Sequence, residues 1–209
     1  MTTAKGRLLE DPAPLTCQNF RSYYENGDFS PTVIHRYYPN FVYQMGSTTF
    51  DPNGNYVPVT PGEPVPSEVG VPSTAGTLAM ALGADTNGVT DPNSGTNQWF
   101  VNLSDNPHLD SDFTVFAELT EGFDSILSIL NYIDTNSLVA WDTGSGLTDN
   151  YTATNGFSPY VLVVTDDDSY GWYPMYTNVT LTPEPAALAL LSTGGLALLR
   201  RRRRASGVE

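Results

Sequence analysis

At 209 residues the chain has the length of one globular domain with tails, and its formal charge is −14. Five of the nine cations form the run Arg200–Arg204, so before residue 184 only Lys5, Arg7, Arg21 and Arg36 face 21 carboxylates, a balance that argues against nucleic acid as a partner of the body. The single cysteine, Cys17, excludes an intrachain disulfide and a thiolate metal site, and the two histidines, His35 and His108, come with no metal-ligand spacing, so no cofactor is assigned.

In chain order, the first expected element is a helix from Pro14 to Asn26. Proline suits an opening turn, Gly27 stops the helix, and Leu15, Phe20, Tyr23 and Tyr24 recur at roughly helical spacing. Val33–Gln44, Gly76–Leu82, Gln98–Leu103, Phe113–Leu119 and Tyr160–Thr165 are short aromatic and β-branched runs punctuated by Gly, Pro, Asn and Asp, and are expected as strands. A second helix fits Phe123–Tyr132, where Ile126, Leu127, Ile129, Leu130 and Ile133 make an apolar stripe. Many short strands with only two helices favour an antiparallel barrel or sandwich over a parallel α/β sheet. Asp51–Ser73, with six prolines, reads as an irregular surface loop, and Asp134–Ser158 as a polar insertion. Asp85, Asn87 and Asp91 superficially suggest a calcium loop, but the glycine and distal Glu of such a loop are out of register, which leaves a solvated turn.

The end of the chain differs in composition. Asp166–Thr182 reads as a spacer. Pro183-Glu184-Pro185 then leads into the uncharged stretch Ala186–Leu199 and the arginine run, followed by a short tail at 205–209. As a helix those fourteen residues reach roughly 21 Å at about 1.5 Å per residue, short of a ~30 Å hydrocarbon core. The order of motif, apolar stretch and basic run resembles the PEP-CTERM sorting signal of exported Gram-negative proteins. That resemblance implies an exosortase-type sorting enzyme as a partner of residues 183–204, with the preceding chain placed outside the cytoplasm.

The most informative segment is Val33-Ile34-His35-Arg36-Tyr37-Tyr38-Pro39-Asn40-Phe41-Val42-Tyr43-Gln44-Met45-Gly46. With Asn19-Phe20, Gly76-Thr77-Leu78-Ala79-Met80-Ala81, Pro92-Asn93-Ser94, Gln98-Trp99-Phe100-Val101-Asn102, Leu109-Asp110 and Phe113-Thr114-Val115-Phe116, it resembles the cyclophilin family in both motif and order. The resemblance implies a mainly β fold, an eight-stranded antiparallel barrel capped by two helices, filling residues 1–165. It also implies peptidyl-prolyl cis/trans isomerase activity on proline-containing peptides or unfolded clients.

Residue by residue, the resemblance makes Arg36 the group that stabilises the twisted amide, with Gln44 orienting either Arg36 or the substrate carbonyl and His35 holding the strand rather than taking a proton. Phe41, Val42, Phe100 and Leu109 become the walls of a proline pocket, with Gln98 at its rim. Met80, Ala81 and Leu82 are expected to offer backbone groups to an extended substrate as an added strand. His108 stands where well-known eukaryotic members have a drug-contacting Trp, which implies weak cyclosporin binding. Other departures are Val42 for Met, Trp99 for Phe, Phe113 for a rim His and Ala117 for Gly. An ordinary surface ion pair is the bland alternative for Arg36, and barrel packing is that for Val42 and Leu109.

Ahead of the first helix, Lys5–Asp11 is a compressed remnant of the strand pair that the resemblance implies, and nothing there reads as a signal peptide. The expectation is that the true start lies upstream, the rival being a degenerate open barrel. Two further readings stay open: a non-catalytic Pro-binding or matrix-associated protein, and a carbohydrate-binding module resting on Trp141, Trp172 and Tyr173.

Overall fold

A computed structural model describes residues 4–53 and 55–135 and the strand segments 139–142, 146–148, 160–163 and 176–177. The chain is mainly β with two helices. In order it runs through β1 (Lys5–Leu8), α1 (Pro14–Glu25), β2 (Thr32–Val33), β3 (Arg36–Tyr38), β4 (Val42–Met45), β5 (Thr48–Phe50), β6 (Tyr56–Pro58), β7 (Thr77–Met80) and β8 (Trp99–Asn102). A 3-10 turn at Pro107–Leu109 precedes β9 (Val115–Glu121), α2 (Phe123–Thr135), β10 (Val139–Asp142), β11 (Gly146–Thr148), β12 (Tyr160–Val163) and β13 (Tyr176–Thr177).

The principal sheet is antiparallel, with strand order β1-β9-β7-β8-β4-β3. Its pleat divides the side chains into two sets, because successive residues of a strand point to opposite faces. Tyr37 of β3, Tyr43 and Met45 of β4, Leu78 and Met80 of β7, and Trp99 and Val101 of β8 join one core with Cys17, Phe20 and Tyr23 of α1. Their neighbours in sequence, Val42, Ala79 and Phe100, join a second cluster with Leu109 and Val115. The first face is closed by the helix. The second forms the floor of a cleft.

Helix α1 buries Thr16, Cys17, Phe20 and Tyr23, one helical stripe. Phe20 is its anchor, with ring centroids 5.4 Å from Trp99 and 4.9 Å from Phe116. Leu15, expected in that stripe, is 48% exposed, because Thr16 and Cys17 hold the inward positions of the first turn. The helix has no side-chain cap at Ala13. Instead Glu68, from the proline-rich loop, accepts from the amides of Leu15 and Thr16 at 3.0 and 2.8 Å and from the Thr16 hydroxyl at 2.8 Å. The carboxylate satisfies donors that the first turn leaves open and complements the positive end of the helix.

The expected closed eight-stranded barrel is not what the described strands form. They fall into three sheets with no ladder joining them: the principal sheet, a four-stranded sheet β13-β2-β5-β6, and a three-stranded sheet β11-β10-β12. Two bends transfer the chain between the first two, at Ile34-His35 between β2 and β3 and at Gly46-Ser47 between β4 and β5. Gly46 has φ +93, and a Cβ there would lie 2.2 Å from the Asn97 carbonyl oxygen, so only glycine fits the second bend. The first bend and the turn at residues 39–41 together split Val33–Gln44, expected as one strand, into three. Strand β6 arises within the proline-rich stretch expected to be irregular, and the β10–β11 pair within the expected insertion. Tyr176 and Thr177, in the expected spacer, pair with Val33 and Thr32 of β2.

At the amino end, β1 is short but real: it pairs with β9, Leu8 opposite Ala117, and buries Leu8. Arg7 pairs with Glu118 and Lys5 with Glu121 across this ladder, while Arg21 pairs with Glu10.

Candidate active site

The cleft encloses about 600 Å³ and is lined by His35, Arg36, Phe41, Val42, Gln44, Ala81, Leu82, Gln98, Phe100, Leu109 and Phe113. Strand pairing brings the polar members together. Arg36 of β3 lies opposite Gln44 of β4, and Gln44 lies opposite Phe100 of β8, so all three project from one face of the sheet. Arg36 Nη1 donates to Gln44 Oε1 at 3.1 Å, and Gln44 Nε2 donates to Gln98 Oε1 at 2.8 Å. A guanidinium only donates, so it turns the Gln44 oxygen towards itself and the Gln44 amide nitrogen towards Gln98.

The apolar wall is held from below. Phe41 follows Asn40, whose φ of +58 is a left-handed conformation that asparagine tolerates better than most residues. The amides of Leu103 and of the Asn106 side chain donate to the Phe41 carbonyl at 2.8 and 3.2 Å. Asn106 in turn donates to Asn102 at 2.8 Å, and Asn102 to Thr77 Oγ1 at 2.9 Å. This buried polar chain locks the turn carrying Phe41 to the loop that leads to Leu109. Phe100 and Phe113 meet edge to face, with centroids 5.6 Å apart.

Ten of the twelve residues expected at the site line this cleft: His35, Arg36, Phe41, Val42, Gln44, Ala81, Leu82, Gln98, Phe100 and Leu109. Met80 does not. Its side chain is 3% exposed and sits in the helix-side core, as the pleat requires of a neighbour of Ala79 and Ala81. The added strand expected along Met80–Leu82 meets an obstacle as well. Strand β7 has neighbours on both sides, the Met80 amide donates to Thr114 and the Ala81 amide to Gln98, so no free amide is offered before Leu82. His108 is exposed on the 3-10 turn and stacks on Phe41 at 5.5 Å and 23°, outside the cleft lining. Phe113, read only as a substituted rim position, is part of the wall.

His35 is neutral at ordinary pH. Burial pushes its imidazole down to about 4, against smaller opposing effects of the Val33 carbonyl and the Gln98 side chain. Its Nδ1 lies 2.8 Å from the Ser47 hydroxyl. Ser47 carried no signal in the sequence: it is one of several small polar residues after Gly46, and only the bend between the sheets turns it towards the imidazole. On the helix side, burial raises the Cys17 thiol to about 12, which makes it an inert core group that donates to the Phe116 carbonyl.

The geometry offers a polar wall with a fixed, permanently charged donor beside an apolar pocket. Nothing in it is a nucleophile. It can hold an apolar ring and present hydrogen bonds to a polar group at its edge.

A sequence profile of the family described as cyclophilin type peptidyl-prolyl cis-trans isomerase/CLD matches residues 3–142. The peptidyl-prolyl cis-trans isomerase of Acinetobacter baylyi is 34% identical over 131 residues, covering 59% of this chain and 64% of that protein. The chain thus spans just under two thirds of that relative's length. Peptidyl-prolyl cis-trans isomerase B of Escherichia coli is 34% identical over 130 residues, covering 57% of this chain and 73% of that one. A Cryptosporidium parvum cyclophilin type isomerase, solved in the presence of the dipeptide Ala-Pro, aligns with a TM-score of 0.48 at 23% identity, covering 70% of this chain and 86% of the other.

Proposed function

Because this chain belongs to the cyclophilin-type peptidyl-prolyl cis-trans isomerases, we propose that its cleft binds proline-containing segments of peptides or unfolded proteins and that Arg36 lowers the barrier to rotation about the Xaa-Pro bond. Amide resonance sets that barrier at about 18–20 kcal/mol and makes uncatalysed exchange a matter of tens to hundreds of seconds. At the top of the barrier conjugation is lost and the prolyl nitrogen carries a lone pair. No bond to carbon forms or breaks, so a catalyst has only to bind the twisted amide better than either planar form.

The observation that carries this reading is the anchored guanidinium beside the apolar wall. The pyrrolidine ring fits against Phe41, Val42, Phe100, Leu109 and Phe113. Arg36, held by Gln44, then donates to the amide as its nitrogen gains basicity, an interaction that strengthens towards the transition state. Arginine suits this role because it stays charged at every relevant pH and offers several donors in a fixed plane. A protease-coupled assay with a prolyl peptide tests it. Acceleration by the wild type that falls about a hundredfold in Arg36→Ala supports the proposal, the order seen when one preorganised donor is removed elsewhere. Equal rates for the two proteins sink it, and peptide binding without acceleration would favour a Pro-binding role.

The family resemblance also supports completion of an eight-stranded barrel in the folded domain of residues 1–165. The motif order at residues 183–204 supports export and recognition by an exosortase-type enzyme in a Gram-negative host. Replacing Pro183-Glu184-Pro185 and following where the protein accumulates tests the second point, since unchanged distribution would refute it.

A further inference from the structure

We infer that Gln98 is a positioning residue for Arg36 that acts through Gln44: by accepting from the Gln44 amide nitrogen, it holds the Gln44 oxygen on the guanidinium before substrate arrives. The inference rests on Arg36 being the catalytic donor of the proposed reaction. A place at the pocket rim, which is all that the sequence suggests for Gln98, asks nothing of its amide. The hydrogen bonds do.

A guanidinium has donors only, so Arg36 Nη1 meets Gln44 at Oε1, 3.1 Å away. The Gln44 amide then presents its nitrogen to the other side, where Gln98 Oε1 accepts at 2.8 Å. With the first contact alone, a long side chain can still swing about it. Two contacts at opposite ends of one amide fix both its plane and its reach, so the oxygen that anchors Arg36 is in place without help from the substrate. Such prior ordering is what a donor needs if it is to act without reorganising during the reaction.

The seat of Gln98 is itself rigid. Gln44 lies opposite Phe100, and Gln98 is two residues before Phe100, a diagonal neighbour on the same face that long side chains can bridge. The pairing of β7 with β8 continues past Met80 and Trp99, since the Ala81 amide donates to the Gln98 carbonyl at 2.9 Å. The preceding residue, Asn97, is 3% exposed, and its side-chain amide donates to the Gly46 carbonyl at 2.9 Å and the Val59 carbonyl at 3.2 Å. Gly46 ends the strand that carries Gln44, and Val59 follows β6 of the second sheet. Gln98 is therefore clamped between β7, the end of β4 and the second sheet, and its oxygen is a fixed point against which Gln44 is set.

Three measurements on the full chain test this. Gln98→Met, which keeps the length but removes the acceptor, should lower kcat by about two- to tenfold, the worth of one net hydrogen bond, with KM changed less than about twofold. In a Gln44→Leu background the same substitution should lower kcat no further, because its effect passes through Gln44. The ¹⁵Nη signals of the Arg36 guanidinium report anchoring without reference to catalysis: they should be resolved by slow rotation in wild type and in Gln98→Glu, which keeps an acceptor, and should average in Gln98→Met. An unchanged kcat in a folded Gln98→Met protein overturns the inference, as does a loss confined to KM or one that persists in full in the Gln44→Leu background. Equal guanidinium mobility in wild type and Gln98→Met overturns it too. None of these results touches the role of Arg36, which Arg36→Ala tests separately.

Discussion

Gln44→Glu separates anchoring Arg36 from leaving its charge available. The substitution keeps the oxygen that accepts from Arg36 Nη1 at 3.1 Å and adds a full negative charge there, while the lost donor to Gln98 is replaced by an acceptor that the Gln98 amide meets by flipping. At an effective dielectric near 20, unit charges at that distance attract by about 5 kcal/mol. The guanidinium is then held more firmly, and the field it projects onto the substrate amide is partly cancelled. Withdrawing about a quarter of that attraction from the transition state is a tenfold loss in kcat/KM. Thermal unfolding should show a midpoint at or above the wild-type value, while a prolyl peptide assay should show at least that tenfold loss. Gln44→Leu supplies the contrast: it removes both the acceptor for Arg36 and the donor to Gln98, at roughly 1.5–3 kcal/mol for a hydrogen bond to a charged group, and lowers stability and activity together. A Glu variant with full activity and undiminished stability would refute the idea that the charge of Arg36 does the catalysis.

Other expectations follow from the same contacts. Because His35 sits near 4 in the fold and near 6.5 in the unfolded chain, the unfolded state takes up the proton first. Its contribution is complete above about pH 6.5 and is lost as pH falls towards 4, a span of at most roughly 3 kcal/mol. Urea unfolding of wild type against His35→Asn between pH 7 and 4.5 should show that difference shrinking with acid, and a constant difference would contradict burial of the ring. With His35 out of range and Arg36 always charged, kcat/KM should stay flat from pH 6 to 9. Gly46→Ala should cost about 3 kcal/mol or more in urea unfolding, since a left-handed alanine is strained and its Cβ meets the Asn97 carbonyl. Glu68→Ala should lower stability by about 1–3 kcal/mol by leaving two amides of the α1 first turn without their acceptor.

The two helices and the runs that became β7, β8, β9 and β12 were legible because their apolar periodicity is strong and local. The cleft was legible because most of its residues come from contiguous motif segments, and pairing β3 with β4 and β4 with β8 is enough to bring Arg36, Gln44 and Phe100 to one face. What stayed hidden depends on contacts distant in sequence. Glu68 caps a helix 52 residues away, and Pro-rich composition masked the pairing of Thr48–Phe50 with Tyr56–Pro58.

Met80 marks the limit of motif reading. Quoting Met80-Ala81-Leu82 as one unit ignored that a strand alternates faces, so a segment next to a cleft lends it only every second side chain. Parity alone would have assigned Met80 to the helix-side core with Leu78. Parity also shows why Ser47 escaped notice. Counting from Gln44 along an unbroken strand puts Ser47 on the opposite face from the cleft, yet the left-handed Gly46 interrupts the alternation and brings its hydroxyl to His35. The same glycine that transfers the chain from one sheet to the other therefore brings Ser47 to His35, and replacing it should disturb that contact as well as the fold.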